Sequence, residues 1–114
     1  MKSIVAEKSF EFSLKIVELY QRLKLKNEFV LSKQLLRSAT SIGANVEEAL
    51  AAQSRRDFLS KMSIASKEAR ETRYWLRLMK ASKLENEDYS ALLAQAEELS
   101  RMLTSIVKTT GKNR

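Results

Sequence analysis

The sequence predicts an all-α protein, an antiparallel four-helix bundle with up-down-up-down topology. Apolar residues recur every three or four positions through nearly the whole chain, and the alternation typical of strands is never sustained. The 114 residues include no proline and two glycines, so long helices meet few breaking residues. Three interruptions of the periodicity divide the chain into four helices, and its length suits one domain spanning residues 1–114.

The first helix is predicted over residues 9–25, and it carries a broad apolar side. Its main stripe is Phe12, Ile16, Leu19 and Leu23, and three further residues widen it, Phe10, Leu14 and Val17. The turn after it is predicted at Lys26–Glu28, because Asn27 tolerates the left-handed backbone conformation that ends helices.

The second helix is predicted over residues 30–52. Its apolar stripe consists of Leu35, Ala39, Ile42, Val46 and Ala49. Gly43 and Ala44 lie beside this stripe and have almost no side chain, so a neighbouring helix is expected to approach closely there.

The third helix is predicted over residues 55–81. Ser54 is its expected N-cap, and Asp57 stands three residues later, at the spacing of a capping box. Because Ala49–Gln53 contains no glycine or proline, a continuous helix through that segment is the alternative.

The fourth helix is predicted over residues 86–110, with Asn86 as its N-cap. Glu87 and Asp88 would complement the positive end of the helix dipole. Its apolar stripe is the most regular of the four and consists of Tyr89, Leu92, Leu93, Ala96, Leu99, Leu103, Ile106 and Val107.

Composition removes most routes to catalysis. The chain has no cysteine and no histidine, which excludes thiol chemistry and removes the commonest general base and metal ligand. We therefore expect no enzyme activity, no catalytic or metal site and no cofactor. The charged segment Met1–Lys8 lacks a signal-peptide core, and no apolar run reaches the roughly 20 residues that cross a bilayer. We expect a cytoplasmic protein without membrane contact.

Positive charge is concentrated in the third helix. The formal net charge is +7, and residues 55–83 hold nine lysines and arginines against three carboxylates, a net charge of +6. Helical projection predicts a basic flank formed by Arg70, Arg73, Arg77 and Lys80, with Arg55 projected onto it. The opposite, apolar side is predicted to contain Ile64, Ala65, Trp75, Leu76 and Met79, and Trp75 and the methionines Met62, Met79 and Met102 are expected to pack in the core.

Tyr74 lies one turn from both Arg70 and Arg77. Cations beside an aromatic ring are typical of sites for RNA or single-stranded nucleic acid. The alternative is a solvated basic face, or ion pairs with carboxylates of neighbouring helices or subunits, namely Glu47, Glu48, Glu97 and Glu98.

A polar stripe borders the core of the second helix. Arg37, Ser41, Asn45 and Glu48 follow one another at helical spacing along one side. Such a line is typical of an interface and is expected to shape packing within or between protomers. The alternative is a solvated boundary with one salt bridge.

Residues 34–49 read QLLRSATSIGANVEEA, and this stretch closely resembles the signature of a bacterial four-helix-bundle family, the 23S rRNA intervening-sequence proteins. The signature contains Arg37, Ser41, Gly43, Asn45 and Glu48. The resemblance continues through AQS at 52–54, DF at 57–58, IA at 64–65 and KEARETRYWL at 67–76. Many relatives have glycine where this chain has Ala49, so the following turn is expected to be more helical here.

The resemblance implies an antiparallel bundle that assembles as a ring-shaped homopentamer. The related accessory proteins of diversity-generating retroelements form a basic pentameric barrel that works with a reverse transcriptase and nucleic acid. The resemblance therefore implies association with nucleic acid, either RNA or DNA, without catalysis. The alternative function is a structural adaptor that binds a protein partner such as a polymerase or reverse transcriptase.

Overall fold

The computed structural model describes residues 3–112 and contains four α-helices joined by short turns. The helices are α1 (Ile4–Leu25), α2 (Val30–Leu50), α3 (Arg55–Ala81) and α4 (Ser90–Lys112). A 3-10 turn at Leu84–Asn86 precedes α4. Each helix packs against the next along the chain, and α4 closes against α1, within extents of 47 × 22 × 21 Å. The predicted all-α four-helix bundle is confirmed.

The predicted core stripes are confirmed, with one correction on α1. All members of the α2 stripe are buried, and those of α4 are buried or pack against the core. On α1, however, Phe10, Leu14 and Val17 are exposed, at 62%, 51% and 37%. The bundle covers one stripe of α1, which Val5 and Ser9 extend toward the N-terminus, and side chains on its outer flank face away from the core. We call these three residues the α1 apolar strip.

The predicted packing of α3 also needs one correction. Met62, Ala65, Leu76 and Met79 are buried as expected, and Trp75 and Met102 pack partly buried against the core. Ile64 is instead exposed, because it lies at the edge of the stripe that the neighbouring helices cover.

The turn between α1 and α2 has the predicted left-handed residue, since Asn27 has a φ of 64°. Glu28 then caps α2: its carboxylate accepts hydrogen bonds from the backbone N–H groups of Leu31, at 2.8 Å, and Ser32, at 3.1 Å. At its other end, α1 begins five residues earlier than predicted, because Ser3 accepts a hydrogen bond from the Ala6 N–H and provides the N-cap.

The break between α2 and α3 is real, so the continuous helix is the wrong alternative. The predicted N-cap is confirmed, because Ser54 Oγ accepts a 3.0 Å hydrogen bond from the Asp57 N–H. The predicted end of α2 is two residues too long, since the helix ends at Leu50, one residue after the buried Ala49.

The predicted start of the fourth helix is wrong. Asn86 lies in the 3-10 turn with a φ of 56°, and α4 begins at Ser90, whose N–H donates to Asp88 Oδ1. The buried Tyr89 side chain explains why α4 begins later than predicted, because its hydroxyl donates a 2.7 Å hydrogen bond back to the Leu84 carbonyl and so holds the preceding turn. Burial, reinforced by the negative charge of nearby Glu87, raises the pKa of Tyr89 to about 12. At its other end, α4 continues to Lys112, two residues beyond the prediction.

Within residues 3–112, none of the helices is both long and apolar enough to span a bilayer.

Candidate nucleic-acid interface

The basic flank of α3 lies on the side of the helix that adjoins α4. Arg70, Arg77 and Lys80 are exposed there, within two to three helical turns of one another. They take part in none of the ion pairs that join residues 3–112. Lys80 does contribute to lowering the pKa of Asp88, whose carboxylate is held mainly by the Ser90 N–H. The flank therefore presents positive charge to solvent.

One member of the flank is neutralised, as the alternative reading allowed. The Nε atom of Arg73 lies 3.2 Å from Glu97 Oε2 on α4, and both side chains are substantially exposed. Two other carboxylates named in that alternative are paired elsewhere, Glu48 with Lys61 and Glu98 with Lys8. Because exposed ion pairs contribute little, the Arg73–Glu97 pair fixes a local geometry more than it stabilises the fold.

Arg55 is not brought together with the rest of the flank. It is the first residue of α3, 15 positions before Arg70, and a helix rises about 22 Å over that length. Arg55 therefore lies at the opposite end of α3 from Lys80.

Tyr74 borders a groove between α3 and α4 with a volume of about 610 Å³. The groove is lined by Tyr74, Arg77, Leu78, Lys80, Ala81, Lys83 and Leu93. Tyr74 is 54% exposed, and its ring meets the Trp75 ring edge-to-face at 5.2 Å between centroids. The groove thus combines an apolar floor, an aromatic wall and three cations. We call it the α3–α4 groove.

The sequence analysis missed several members of this surface. Leu78, Lys83 and Leu93 complete the α3–α4 groove, and only the packing of α4 against α3 brings Leu93 there. A second, shallower depression on α4 is lined by Ser100, Arg101, Thr104, Ser105, Lys108, Thr109 and Lys112. Its three cations follow at i, i+7 and i+11, a signal present in the sequence but hidden by the negative net charge of residues 84–114.

Two members of the α2 polar stripe, Arg37 and Glu48, pair with residues of α3 in the same chain. Arg37 pairs with Glu68, at 3.2 Å, and with Glu71. The same Glu71 oxygen accepts a 2.9 Å hydrogen bond from Trp75 Nε1. This network ties α2 to the part of α3 that carries Tyr74, so Arg37 positions the helix behind the basic flank.

The other stripe residues also make contacts within the protomer. Asn45 Nδ2 donates to the Ser41 carbonyl at 2.8 Å and to Ser41 Oγ at 3.1 Å, and Glu48 bonds Lys61 Nζ at 3.0 Å. The hydrogen bond and charge of Glu48 raise the pKa of Lys61. Arg37 and Glu48 therefore belong to the α2–α3 seam, whereas the Asn45–Ser41 hydrogen bonds lie within α2. The effect of the stripe on contacts between protomers stays a prediction.

Gly43 faces α1, and α1 packs there no closer than an alanine would allow, so the lack of a side chain is not required for this contact. A Cβ atom built at Gly43 would lie 3.5 Å from Ser13 Oγ and 3.6 Å from the Ser9 carbonyl, which is ordinary contact. The surrounding groove is lined by Ala6, Ser9, Phe10, Ser13, Thr40, Gly43, Ala44 and Glu47. With the α1 apolar strip it forms an exposed face with little charge, which we call the α1–α2 face.

Among the described residues 3–112, no group of three carboxylates is placed to hold a metal ion. The arrangement offers binding surfaces: a basic α3–α4 side and, across the bundle, an apolar α1–α2 side. The class of protein is thus a four-helix bundle with two chemically opposite faces.

The comparisons with known proteins identify the family. The family model described as 23S rRNA-intervening sequence protein matches residues 1–105, so the chain belongs to that family. It is similar to the crystal structure of a protein of unknown function from the S23 ribosomal protein family of Bacteroides thetaiotaomicron. The two are 48% identical with a TM-score of 0.85, over 92% of this chain and 99% of the other. None of the curated proteins matches the chain.

Proposed function

We propose that this protein is a non-enzymatic, homo-oligomeric protein that associates with nucleic acid through its α3–α4 side. The observation that carries the proposal is the set of cations Arg70, Arg77 and Lys80, exposed on one side and outside the ion pairs of residues 3–112. Phosphate is the polyanion that such a row fits best, because each neutralised phosphate releases counterions and so adds affinity. Lys83 adds a further cation to the α3–α4 groove, and Arg101, Lys108 and Lys112 line a separate depression on α4.

The family supports a link with RNA. Its name refers to intervening sequences of 23S rRNA, and the Bacteroides relative is assigned to a ribosomal protein family. Neither name states what the proteins bind. The charge distribution supplies the physical reason for expecting RNA or DNA.

Self-association is the second part of the proposal. The α1 apolar strip exposes two large side chains by more than half on a single helix, and the adjoining groove adds Gly43, Ala44 and Thr40. A contiguous exposed apolar patch is typical of an interface. A pentameric ring, which the family resemblance implies, requires two different surfaces on each copy, and the α1–α2 face would provide one of them.

A protein partner is the alternative occupant of the α1–α2 face. In this second function the chain is an adaptor that holds a polymerase or reverse transcriptase on its apolar face. The same exposed strip favours it, so copy number and copurifying protein distinguish the two functions.

The first experiment measures assembly and bound nucleic acid together. Size exclusion with light scattering, before and after nuclease treatment, should give a mass of several protomers that survives nuclease. Absorbance at 260 nm should fall after the treatment if nucleic acid copurifies. A monomer that retains another protein after nuclease would favour the adaptor.

The second experiment measures affinity for labelled RNA and DNA of equal length as a function of salt. We expect log affinity to fall with log salt by roughly 0.9 per contacted phosphate for duplex and about 0.7 for single strands. Absence of binding, or binding insensitive to salt, would contradict association through the basic side.

A further inference from the structure

We propose that the α3–α4 groove takes one unpaired base of a single-stranded segment, with Tyr74 as its stacking wall. The proposal rests on the proposed function and deepens it, because it names the form of nucleic acid that the site selects. Four of the residues that line the groove are apolar or aromatic. Such side chains do not bind phosphates, which are contacted by cations, so they indicate that a base also enters the groove.

The floor of the groove suits the faces of a base. Leu78 and Ala81 come from α3 and Leu93 from α4, so the floor crosses the seam between the helices. A base has two apolar faces, and aromatic or aliphatic side chains cover them without regard to sequence. In a duplex these faces are already stacked, whereas a single strand can turn one base out of its stack.

Tyr74 is held in place before any ligand binds. Its ring meets Trp75 edge-to-face, and Trp75 is anchored by its hydrogen bond to Glu71, which also pairs with Arg37 on α2. A ring held in this way loses less conformational entropy on stacking than a free one. The Tyr74 ring is therefore linked to the signature residue Arg37 through three contacts, by way of Trp75 and Glu71.

The rim supplies charge complementarity for the flanking phosphates. Arg77, Lys80 and Lys83 line the groove, and no carboxylate belongs to its lining among residues 3–112. On the facing helix α4, the Glu97 carboxylate is engaged by Arg73. An anionic backbone can thus run along the rim while its base enters between the cations.

The test compares single-stranded and duplex oligonucleotides of the same composition, measured by fluorescence anisotropy at one salt concentration. Tyr74→Leu removes the ring on which the base would stack, so we expect it to weaken single-strand affinity by about tenfold while duplex affinity stays within twofold. Tyr74→Phe keeps the ring and should bind like the wild type. Phe29→Leu, which removes an exposed aromatic ring that does not line the groove, is the matched control.

Photo-crosslinking gives an independent readout. A single strand that contains 5-iodouracil should crosslink to Tyr74 in the intact assembly, as identified by mass spectrometry. Crosslinks elsewhere, or equal losses for single strand and duplex in Tyr74→Leu, would overturn the groove assignment while leaving the proposed function intact. A change in assembly mass for Tyr74→Leu would overturn it as well, because the groove would then hold a second copy. If neither nucleic acid binds the wild type, the proposed function itself fails.

Discussion

The α3–α4 side and the α1–α2 face are both formed by pairs of amphipathic helices, yet they differ in the chemistry of the side chains that remain exposed outside the core. On the α3–α4 side, the exposed flank carries cations that outnumber the carboxylates near them. On the α1–α2 face, the exposed flank carries Phe10, Leu14 and Val17 beside small residues. The difference shows that core packing constrains one stripe per helix, and the outer flanks are free to specialise.

Ion pairing sharpens the contrast. Two of the four cations of α1 form ion pairs with the last part of the chain, Lys8 with Glu98 on α4 and Arg22 with Glu87 just before α4, and Lys26, just after α1, also pairs with Glu87. The hydrogen bond and charge of Lys8 lower the pKa of Glu98. Half of the positive charge on α1 is therefore engaged by carboxylates of the same chain, whereas three of the four cations on the basic flank of α3 are outside the ion pairs of residues 3–112.

The largest expected effect comes from placing a charge on the α1–α2 face. Leu14→Glu should convert the assembly to monomers, weakening association at least tenfold, because a carboxylate would be buried without a partner. Light scattering measures the mass, and far-UV circular dichroism should show an intact bundle, since Leu14 is half exposed. The matched control is Leu25→Glu, at a leucine that is 86% exposed outside the strip. An unchanged mass for Leu14→Glu would remove this face as the interface.

Reversing charge on the opposite side should separate binding from assembly. The double variant Arg70→Glu, Arg77→Glu should lower nucleic-acid affinity at least tenfold and reduce the salt slope by about two contacts, with the mass unchanged. Lys24→Glu, Lys33→Glu imposes the same change of net charge on α1 and α2 and is the control. Equal losses in both double variants would mean that net charge, and not the α3–α4 side, governs binding.

A smaller effect is expected at Glu87, just before α4, which pairs with Arg22 and Lys26 at the end of α1. The Glu87 side chain is mostly buried, and burial is the largest single influence and raises its pKa. The hydrogen bonds and charges of Arg22 and Lys26 together outweigh burial, so the pKa of Glu87 is lowered overall. A carboxyl with a lowered folded pKa stabilises the protein above its usual pKa and loses that contribution as the pH falls through the folded value.

Glu87→Gln should therefore cost about 1 kcal/mol of unfolding free energy at neutral pH and less near pH 3, where the carboxyl is increasingly protonated. Urea unfolding at the two pH values measures the difference. Glu18→Gln, at an exposed carboxylate of α1, should change little at either pH. A loss of equal size at both pH values would show that packing, not the ion pairs, accounts for it.

The smallest effect is expected at Gly43, inside the α1–α2 face. Its Cβ position has room, so Gly43→Ala should leave stability unchanged or raise it by up to about 1 kcal/mol through helix propensity. Thermal unfolding measures this, and Ala44→Gly should lower stability by about the same amount. A clear loss of stability in Gly43→Ala would contradict the room seen beside Ser13. A smaller assembly with an unchanged bundle would place a second copy directly on Gly43.

Much of the fold and part of the candidate site could be predicted from the sequence. Apolar spacing located the core residues of α2 and α4, Asn27 and Ser54 located two chain breaks, and the charge count located the basic helix. These features depend on side-chain chemistry within a few neighbouring residues, which the sequence records directly.

The tertiary structure alone decided which flanks meet. Phe10 has the helical spacing of a core residue and is exposed, Arg73 belongs to the basic flank and is paired with Glu97, and Asn86 resembles an N-cap but lies in a turn set by Tyr89. Each outcome depends on a residue contributed by another helix or by the fold of the chain around it. Local periodicity fixes the direction of a side chain from its own helix axis, but only the packed bundle determines whether a neighbour or solvent lies there.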